Sequence, residues 1–259
     1  MEATYDINIT KIVNNKRFNK DDIVIREIKL QIDINDKESL EIMATPIDQK
    51  ALVVGYLKSE NIIDSIDDIK HIDIIDDGTK IKIKANIDED SLQKLNSEGI
   101  ITSGCGYGKS ANIDPNEIEA KIITSNYSIS SELLINQMQQ FYKQCPLYEQ
   151  TGCVHTAKLY IDDTTSFIAE DIAQHNTIDK AIGKAMLNHT DISKSFLMVS
   201  GRLSAEMVAK AVMHQIPIIA SRTAPTCLGI QIAKKFGITL IGFVRNQNMN
   251  IYQNPQRVL

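Results

Sequence analysis

The sequence predicts an α/β protein whose second half forms a mainly parallel sheet and whose first part is rich in β-strands. In the second half, short apolar strands alternate with amphipathic helices, which is the pattern of parallel strands joined by crossover helices. In the first third, apolar and polar residues alternate at period two, as in half-buried strands. The period changes near Ser130, and the polar stretch 112–128 is the expected boundary. This gives a β-rich unit of residues 1–125 and an α/β unit of residues 126–259.

The β-rich unit is expected to contain strands, one hairpin turn and one helix. The alternating stretches are residues 22–34, 68–76 and 80–87. Asp77-Gly78 lies between the last two stretches and is a strong signal for a tight hairpin. Between the strand groups we expect a helix with Thr45 as its N-cap and Pro46 as its first residue.

The α/β unit is expected to begin with a helix over about 131–144, which Cys145-Pro146 would end. The strands predicted after it are residues 154–161, 166–172, 195–199, 216–220 and 238–244. The helices predicted between them begin at Ile178, Ser204 and Pro225.

Composition limits the classes of function. The 259 residues suffice for one large domain or two small ones, and 43% apolar residues are ordinary for a globular protein. The net charge of −5 gives no general attraction to nucleic acid or to an anionic membrane. A phosphate-binding site in this chain must therefore be local.

The sequence also indicates a compartment. Its first residues lack the basic and apolar regions of a signal peptide, and its apolar stretches are far too short to span a bilayer. The four cysteines are widely scattered, which fits neither a disulfide framework nor the paired spacing of structural zinc. We expect a cytoplasmic protein.

A glycine-rich segment around Cys105 is the first candidate site. Gly104, Gly106 and Gly108 let the backbone adopt positive φ, and Lys109 is near enough to favour the thiolate of the cysteine. A surface turn that happens to contain a cysteine is the alternative. Because free cysteines are usually buried as small hydrophobes, a cysteine in such a loop favours a reactive thiol.

A histidine at a strand start is the second candidate. His155 opens the strand predicted after the segment Thr151-Gly-Cys-Val, a position that often contributes to sites in α/β sheets. Its spacing alone favours a core histidine held by backbone partners. Cys153 lies two residues away, so a cysteine–histidine pair is conceivable.

The third candidate is the polar segment 170–180, which joins a predicted strand end to a helix. It contains His175 and Asn176, and such dense polar groups at this position suggest a ligand site. Asn176 or Thr177 could cap the helix, and its free N–H groups would favour an anion. A purely structural capping network is the alternative.

Two further strand-to-helix turns carry arginines. Arg202 lies in Ser200-Gly-Arg-Leu-Ser, and Arg222 lies in Ser221-Arg-Thr-Ala-Pro. A guanidinium can bind phosphate through two parallel hydrogen bonds. Because both turns are expected at the same edge of a parallel sheet, they indicate an oxyanion or phosphate site. Arg245 follows the last predicted strand among amide side chains.

Several common motifs are absent from the sequence. It has no Walker loop, Rossmann glycine fingerprint, nucleophile elbow or paired-cysteine zinc motif.

These residues resemble the FdhD family, the accessory sulfurtransferases required for active formate dehydrogenase. The resemblance covers nearly the whole chain and rests on many short motifs in the family's order. In the first half these are Met43-Ala-Thr-Pro46, Gly55-Tyr-Leu57, Glu60 and Gly104-Cys-Gly106. In the second half they are Gly152, His155, Ala157, Glu170-Asp-Ile, His175-Asn176, Asp179-Lys180, Ser200-Gly-Arg202, Glu206-Met207, Lys210, Ala224-Pro-Thr226, Gly242-Phe243, Arg245, Tyr252, Pro255 and Arg257.

The resemblance implies a cytidine-deaminase-like core beside the β-rich region, in a protein that is often a homodimer. It also implies an activity, in which a cysteine desulfurase loads sulfur on Cys105 as a persulfide. The sulfur then passes to the molybdenum or tungsten of a bis(molybdopterin guanine dinucleotide) cofactor, bound as substrate, before the cofactor is inserted into formate dehydrogenase. The glycines beside Cys105 would let the loop move between donor and metal, and a reversible persulfide suits such a shuttle.

The resemblance also implies where the cofactor binds. The family's cofactor-binding segment corresponds here to Phe243, Val244, Arg245, Asn246, Gln247 and Asn248. Arg202 and Arg222 could hold phosphates together with Arg245, and His175 and Asn176 are further expected contacts.

The chain departs from the family pattern at three positions. Gly108 replaces the second cysteine of a Cys-x-x-Cys pair, which puts an internal resolving thiol in doubt unless Cys153 substitutes. Gln174 stands where an arginine is usual, and Cys153 stands where glycine is usual. Because the His-x-Glu and Pro-Cys-x-x-Cys motifs of zinc deaminases are missing, we expect no zinc.

Two other functions follow from the same residues. A chaperone that binds a guanine nucleotide or the cofactor would keep the phosphate-binding turns and make Cys105 dispensable. A hydrolytic deaminase is disfavoured by the missing metal ligands. The choice between molybdenum and tungsten, the sulfur donor and the oligomeric state are left open by the residues themselves.

Overall fold

The computed structural model describes residues 1–36, 38–88, 100–101, 114–116 and 118–259. The α-helices in these residues are α1 (Gln49–Ser59), α2 (Ser131–Phe141), α3 (Pro146–Thr151), α4 (Gln174–Leu187), α5 (Ala205–Met213) and α6 (Cys227–Phe236). The first strands are β1 (Thr4–Val13), β2 (Lys16–Ile25), β3 (Ile28–Ile34), β4 (Glu38–Ala44), β5 (Ile69–Ile75), β6 (Lys80–Ala85) and β7 (Ile100–Ile101). The later strands are β8 (His155–Tyr160), β9 (Ser166–Asp171), β10 (Phe196–Val199), β11 (Ile218–Ser221), β12 (Thr239–Arg245) and β13 (Asn248–Gln253).

The strands of the second half form one mixed sheet in the order β13-β12-β11-β10-β8-β9. Strands β10, β11 and β12 are parallel, because α5 and α6 cross over between them. The pairs β12–β13, β10–β8 and β8–β9 are antiparallel. The prediction of an α/β protein is confirmed, but the sheet is parallel only at its centre and not mainly parallel, because short turns join β8 to β9 and β12 to β13.

This sheet is covered on both faces. Alternate residues of β10 show the division: Leu197 packs with α4, α5 and α6 in one core cluster, and Phe196 packs with α2 in another. Successive side chains of a strand point to opposite faces, so the second half has three layers. Helices and strands are placed here as the alternating pattern predicted. Whether the core is of the cytidine-deaminase type stays a prediction.

The strands of the first half form a second mixed sheet, in the order β5-β6-β3-β4-β7. Alternate residues of β3 are buried against α1, which confirms the period-two pattern there. The hairpin at Asp77-Gly78 is also confirmed, since β5 and β6 pair antiparallel around it. The stretch 22–34 was predicted as one strand, but it divides into β2 and β3.

The predicted start of α1 is wrong. The helix begins at Gln49, after Asp48 in the left-handed region at φ 55°. Thr45 is fully buried, and its Oγ1 accepts a hydrogen bond from the backbone N–H of Ile172 at 3.2 Å. The hydroxyl that was expected to cap the helix therefore connects the two sheets instead.

The start of α4 also differs from the prediction. The helix begins at Gln174 and its N-cap residue is Ala173, so neither Asn176 nor Thr177 is the cap. The helix was predicted to start at Ile178, but the four residues before it already form its first turn. The helix predicted over about 131–144 is α-helical only to Phe141 and continues as a 3-10 turn, Tyr142–Gln144, and α3 after it was not predicted. The other predicted strands and helix starts of the second half lie within about two residues of their observed bounds, the usual uncertainty of element ends.

Helices α1 and α4 pack backbone to backbone and so join the two sheets. A Cβ atom on Gly55 would lie 2.0 Å from the carbonyl oxygen of Asp179, and one on Gly183 would lie 1.9 Å from that of Ala51. Only glycine allows this approach.

The division into residues 1–125 and 126–259 stays a prediction.

A separate antiparallel pair, β1 and β2, precedes the first large sheet. No helix among the described residues is long and apolar enough to cross a membrane.

Candidate functional site

The candidate site lies at one edge of the six-stranded sheet of the second half, where β10, β11 and β12 end. Strand β8 runs antiparallel to β10, so its first residue, His155, lies at the same edge. His155 pairs with Asp171, the last residue of β9. The segments after β10 and β11 bring Arg202 and Arg222 there, as expected for strands ending at a common edge.

The first turn is fixed by Ser200. Its Oγ accepts a hydrogen bond from the backbone N–H of Thr156 at 3.0 Å and lies 3.3 Å from Nδ1 of His155. Burial lowers the pKa of His155, the neighbouring His175 and Arg202 lower it further, and the carboxylate of Asp171 opposes them. The imidazole of His155 is therefore neutral near neutral pH. A neutral imidazole has one donor and one acceptor nitrogen, so His155 can form a hydrogen bond with Ser200 or with a ligand.

Gln174 holds the same turn from the other side. Its Nε2 donates a hydrogen bond to the carbonyl oxygen of Arg202 at 2.7 Å. A Cβ atom on Gly201 would lie 2.4 Å from the Gln174 side chain, so glycine is required for this contact. Gln174, the residue at which the resemblance leads us to expect an arginine, thus binds the turn itself.

The second turn is tied to the first by two hydroxyl groups. Oγ of Ser221 and Oγ1 of Thr223 donate hydrogen bonds to the carbonyl oxygen of Gly201, at 2.7 and 2.6 Å. The guanidinium of Arg222 lies 4.9 Å from the ring centre of Tyr142. This aromatic contact orients Arg222, and because Tyr142 lies far away in sequence, no local pattern could have predicted it.

The segment after Gly242 has been predicted to bind the cofactor. Phe243 has φ 53° and lies in an irregular step of the β12–β13 pairing, which turns its ring outward while Val244 stays buried. Arg245 donates from Nε to the carbonyl oxygen of Arg222 at 2.7 Å, and its guanidinium lies 5.6 Å from the Phe243 ring centre. The side chains of Asn246, Gln247 and Asn248 are exposed.

Two ion pairs join α4 to α5 beside the turns. Nε2 of His175 contacts the carboxylate of Glu206, and Nζ of Lys210 lies 2.8 Å from the carboxylate of Asp179. The members of the two pairs are four residues apart on each helix, so they lie on the same helix faces. The His175 pair is partly exposed at the sheet edge, whereas the Asp179 carboxylate is buried.

Asn176 faces the interior. Its Nδ2 donates to the carbonyl oxygen of Met43 at 2.9 Å and to Asp171 at 3.0 Å. Asp171 also forms a fully buried ion pair with Lys180 at 2.6 Å. Both amide hydrogens of Asn176 are thus used within the protein, and its predicted contact with a cofactor stays a prediction.

The thiols occupy different environments. Cys105 and Lys109 lie outside the described residues. Cys153 is exposed just before β8, close along the chain to His155. Cys145 is buried, and burial with the charge of Glu170 raises the pKa of its thiol to about 12, which makes it unreactive.

The site can attract an anion although the whole chain is acidic. Arg202, Arg222 and Arg245 come from three successive strand ends, with neutral His155 beside them. Such groups suit phosphate oxygens. The described residues contain no group of three or more His, Cys, Asp or Glu side chains that could hold a metal ion. The expectation of no zinc stays a prediction.

The fold and site together define a mixed α/β protein with three arginines at one edge of a partly parallel sheet. The sequence model of the FdhD/NarQ family matches residues 25–259, and the chain belongs to this family.

Individual relatives agree with this membership. The chain is 43% identical over 239 residues to the sulfur carrier protein FdhD of Wolinella succinogenes, covering 92% of this chain and 83% of that protein. It is 31% identical to the sulfur carrier protein FdhD of Staphylococcus aureus, covering 97% and 95% of the two chains. It is also similar to the crystal structure of a candidate formate dehydrogenase accessory protein from Desulfotalea psychrophila. Both chains are covered fully, with a TM-score of 0.80 and 26% identity.

Proposed function

We propose that this protein is a sulfur carrier for formate dehydrogenase that acts on a cofactor of the bis(molybdopterin guanine dinucleotide) type. The observation that carries the proposal is the cluster of Arg202, Arg222 and Arg245 at one sheet edge, in a chain that belongs to a family with members named as sulfur carriers. An arginine cluster of this kind suits the phosphates of a dinucleotide.

In the bound state the three guanidinium groups would contact phosphate oxygens, and the exposed ring of Phe243 would stack on a base. The guanidinium groups of Arg222 and Arg245 already lie over aromatic rings, those of Tyr142 and Phe243. This restricts their motion before the ligand arrives and lowers the entropy cost of binding.

The thiol that carries sulfur would be Cys105. Its thiolate attacks the outer sulfur of a persulfide on a cysteine desulfurase, forms a new S–S bond and displaces the desulfurase thiolate, with no net oxidation. In the second step the outer sulfur passes to the metal of the substrate. The metal supplies the two electrons that convert this sulfur to sulfide, and the Cys105 thiolate is regenerated. In this reaction the chain acts as a sulfurtransferase.

The proposed partners are therefore a cysteine desulfurase and formate dehydrogenase. A reducing compartment such as the cytoplasm keeps the carrier thiol available between cycles. Family resemblance adds a homodimer to this proposal.

Intact-protein mass spectrometry after incubation with a cysteine desulfurase and cysteine tests the carrier role. We expect one added sulfur atom on the native chain, which a reductant removes and which the Cys105→Ala variant lacks. Cys153→Ala and Cys227→Ala are matched controls, because both change an exposed thiol of the same chain, and both should still gain sulfur.

Two results would contradict the proposal. If neither the native chain nor the variants gain sulfur while the native chain supports formate dehydrogenase, the protein is a cofactor-binding chaperone. If Cys105→Ala gains sulfur as fully as the native chain and Cys153→Ala does not, the carrier thiol is Cys153.

A further inference from the structure

His155 lies at the sheet edge beside the arginine cluster but is not part of it. The residue opens β8 and is half-buried. Burial lowers the pKa of its imidazole, and His175 and Arg202 lie close enough to lower it further. His155 is thus a neutral side chain next to an arginine that is expected to hold phosphate.

Ser200 is held in place next to His155 by the neighbouring strand. Its backbone N–H donates a hydrogen bond to the carbonyl oxygen of Thr156 at 3.0 Å, and its Oγ accepts one from the backbone N–H of Thr156, also at 3.0 Å. These two bonds extend the pairing of β8 with β10 beyond Val199. The backbone therefore fixes the Ser200 hydroxyl, with Oγ 3.3 Å from Nδ1 of His155.

The hydroxyl of Ser200 decides which nitrogen of His155 carries the proton. A hydroxyl has one hydrogen to donate, and a neutral imidazole has one donor and one acceptor nitrogen. If Nδ1–H donated to Oγ, the hydroxyl hydrogen would have no acceptor among the described residues. Nδ1 therefore accepts from Ser200, and the proton of the neutral ring is on Nε2. The separation of 3.3 Å is long for such a bond, and ligand binding commonly shortens hydrogen bonds of this kind.

The Nε2–H group of His155 is not used by the neighbouring carboxylate. Asp171 pairs with His155 across β8 and β9. Its two oxygens already contact two backbone N–H groups, the amide of Asn176 and the ammonium group of Lys180. Within the part of the chain that the structure describes, no protein group forms a hydrogen bond with Nε2 of His155. This nitrogen is a neutral donor at the edge where a ligand would bind.

We propose that Nε2–H of His155 donates a hydrogen bond to a phosphate oxygen of the bound cofactor, and that Ser200 is the positioning residue that fixes this tautomer. A phosphate oxygen accepts hydrogen bonds, so it matches an N–H group and would be repelled by a bare ring nitrogen. A neutral donor forms this bond without placing another positive charge beside Arg202. The inference rests on the proposed function, because the phosphate belongs to the guanine dinucleotide of that cofactor.

Two replacements of His155 test the contact. The side-chain nitrogen of glutamine can take the place of Nε2, whereas that of asparagine reaches only the place of Nδ1. Calorimetric titration with guanosine diphosphate should give nearly native affinity for His155→Gln. His155→Asn should bind about tenfold more weakly, the effect of one hydrogen bond to a charged group.

The outcomes separate this contact from the proposed function. An unchanged affinity in His155→Asn, or equal losses in both variants, would overturn the contact and leave the arginine cluster as the phosphate site. A native chain that does not bind guanosine diphosphate would overturn the nucleotide site of the proposed function and this contact with it.

Nitrogen-15 NMR of the imidazole rings tests the role of Ser200 in the free protein. The chain has five histidines, and the signal that disappears in His155→Gln identifies His155. The native ring should be protonated at Nε2 and unprotonated at Nδ1, and Ser200→Ala should mix the two tautomers. A native ring protonated at Nδ1, or a tautomer that Ser200→Ala leaves unchanged, would overturn the positioning role.

Binding by the double variant completes the test. Ser200→Ala alone should weaken guanosine diphosphate binding by roughly threefold, the lower end for one neutral hydrogen bond. In the His155→Gln background the same replacement should have no further effect, because an amide side chain has no tautomers. An equal loss in both backgrounds would mean that Ser200 acts by supporting the turn and not through His155.

Discussion

Neighbouring residues of α4 face two different environments. Asn176 and Lys180 point into a buried network with Asp171, in which donors are matched to acceptors within the protein. Gln174 and His175 point to the sheet edge beside Arg202, where charged groups remain partly exposed. The same polar segment therefore serves two purposes, because side chains one position apart on a helix point in different directions. Buried polar groups hold the two sheets together, and the partly exposed ones are open to a ligand.

Removing the charge of Asp171 should have the largest effect on stability. In Asp171→Asn the ammonium group of Lys180 stays buried without its counterion, so we expect a loss of about 3–5 kcal/mol of unfolding free energy. Chemical denaturation measures it. The double variant Asp171→Asn with Lys180→Met should recover much of this loss, because no unpaired charge remains. A loss below about 1 kcal/mol in Asp171→Asn would show that the pair does not hold the sheets together.

The pair His175→Ala and Asn176→Ala should separate binding from folding. His175→Ala removes a cationic or hydrogen-bonding group at the edge and should weaken binding of guanosine diphosphate by about tenfold, the effect of one hydrogen bond to a charged group. Its unfolding free energy should change by less than about 1 kcal/mol, because the His175 pair is partly exposed. Asn176→Ala should lose about 1–3 kcal/mol of stability, since the Met43 carbonyl and Asp171 lose a buried donor.

Calorimetric titration of the folded variants and denaturation curves give the two quantities. Lys194→Ala, at an exposed position outside the cluster, controls for the loss of one positive charge. If Asn176→Ala lost nucleotide affinity while it kept its stability, Asn176 would be a ligand contact, as the sequence predicted.

Local pattern explains what the sequence could predict, and distant contacts explain what it could not. The alternation in β3 and the turn at Asp77-Gly78 depend on adjacent residues, and both were predicted. The start of α1 was missed because the Thr45 hydroxyl binds the backbone of Ile172, just after β9, and does not cap the helix. Similarly, the arginines of the site were found from their turns, but their aromatic partners were not.

The strand pair β1–β2 shows a third limit. The residues before 22 were not predicted as strands, although they form two long ones. Their side chains bury little against the chain itself, so apolar and charged residues occur on the same face. Because alternating patterns report burial on one face of a strand, two strands that bury little on either face carry a weaker signal of that kind.

Titration of His214 should give the smallest effect, and it tests the buried side of α4 and α5. Its Nε2 lies 2.9 Å from Oγ of Ser59, which donates a hydrogen bond to Asp179 at 2.6 Å. Burial, with the charges of Lys210 and Lys58, lowers the pKa of His214 from 6.5 to about 3. The unfolded chain therefore binds a proton at a higher pH than the folded chain does. The stability that depends on neutral His214 is present above pH 6.5 and is lost as the pH falls towards 3.

Between about pH 7 and about pH 5.5 this loss should reach about 1 kcal/mol, because one pKa unit corresponds to about 1.4 kcal/mol. Denaturation curves over this interval measure it, and His214→Gln should remove the slope, since an amide can bind Ser59 without titrating. His71→Gln is the matched control, because His71 is exposed and its replacement leaves the buried cluster intact. A slope that persists in His214→Gln would mean that another group, such as His155 at the sheet edge, links folding to protons. The contrast between a buried structural face and an open ligand face would then be weaker, because the site itself would contribute to folding.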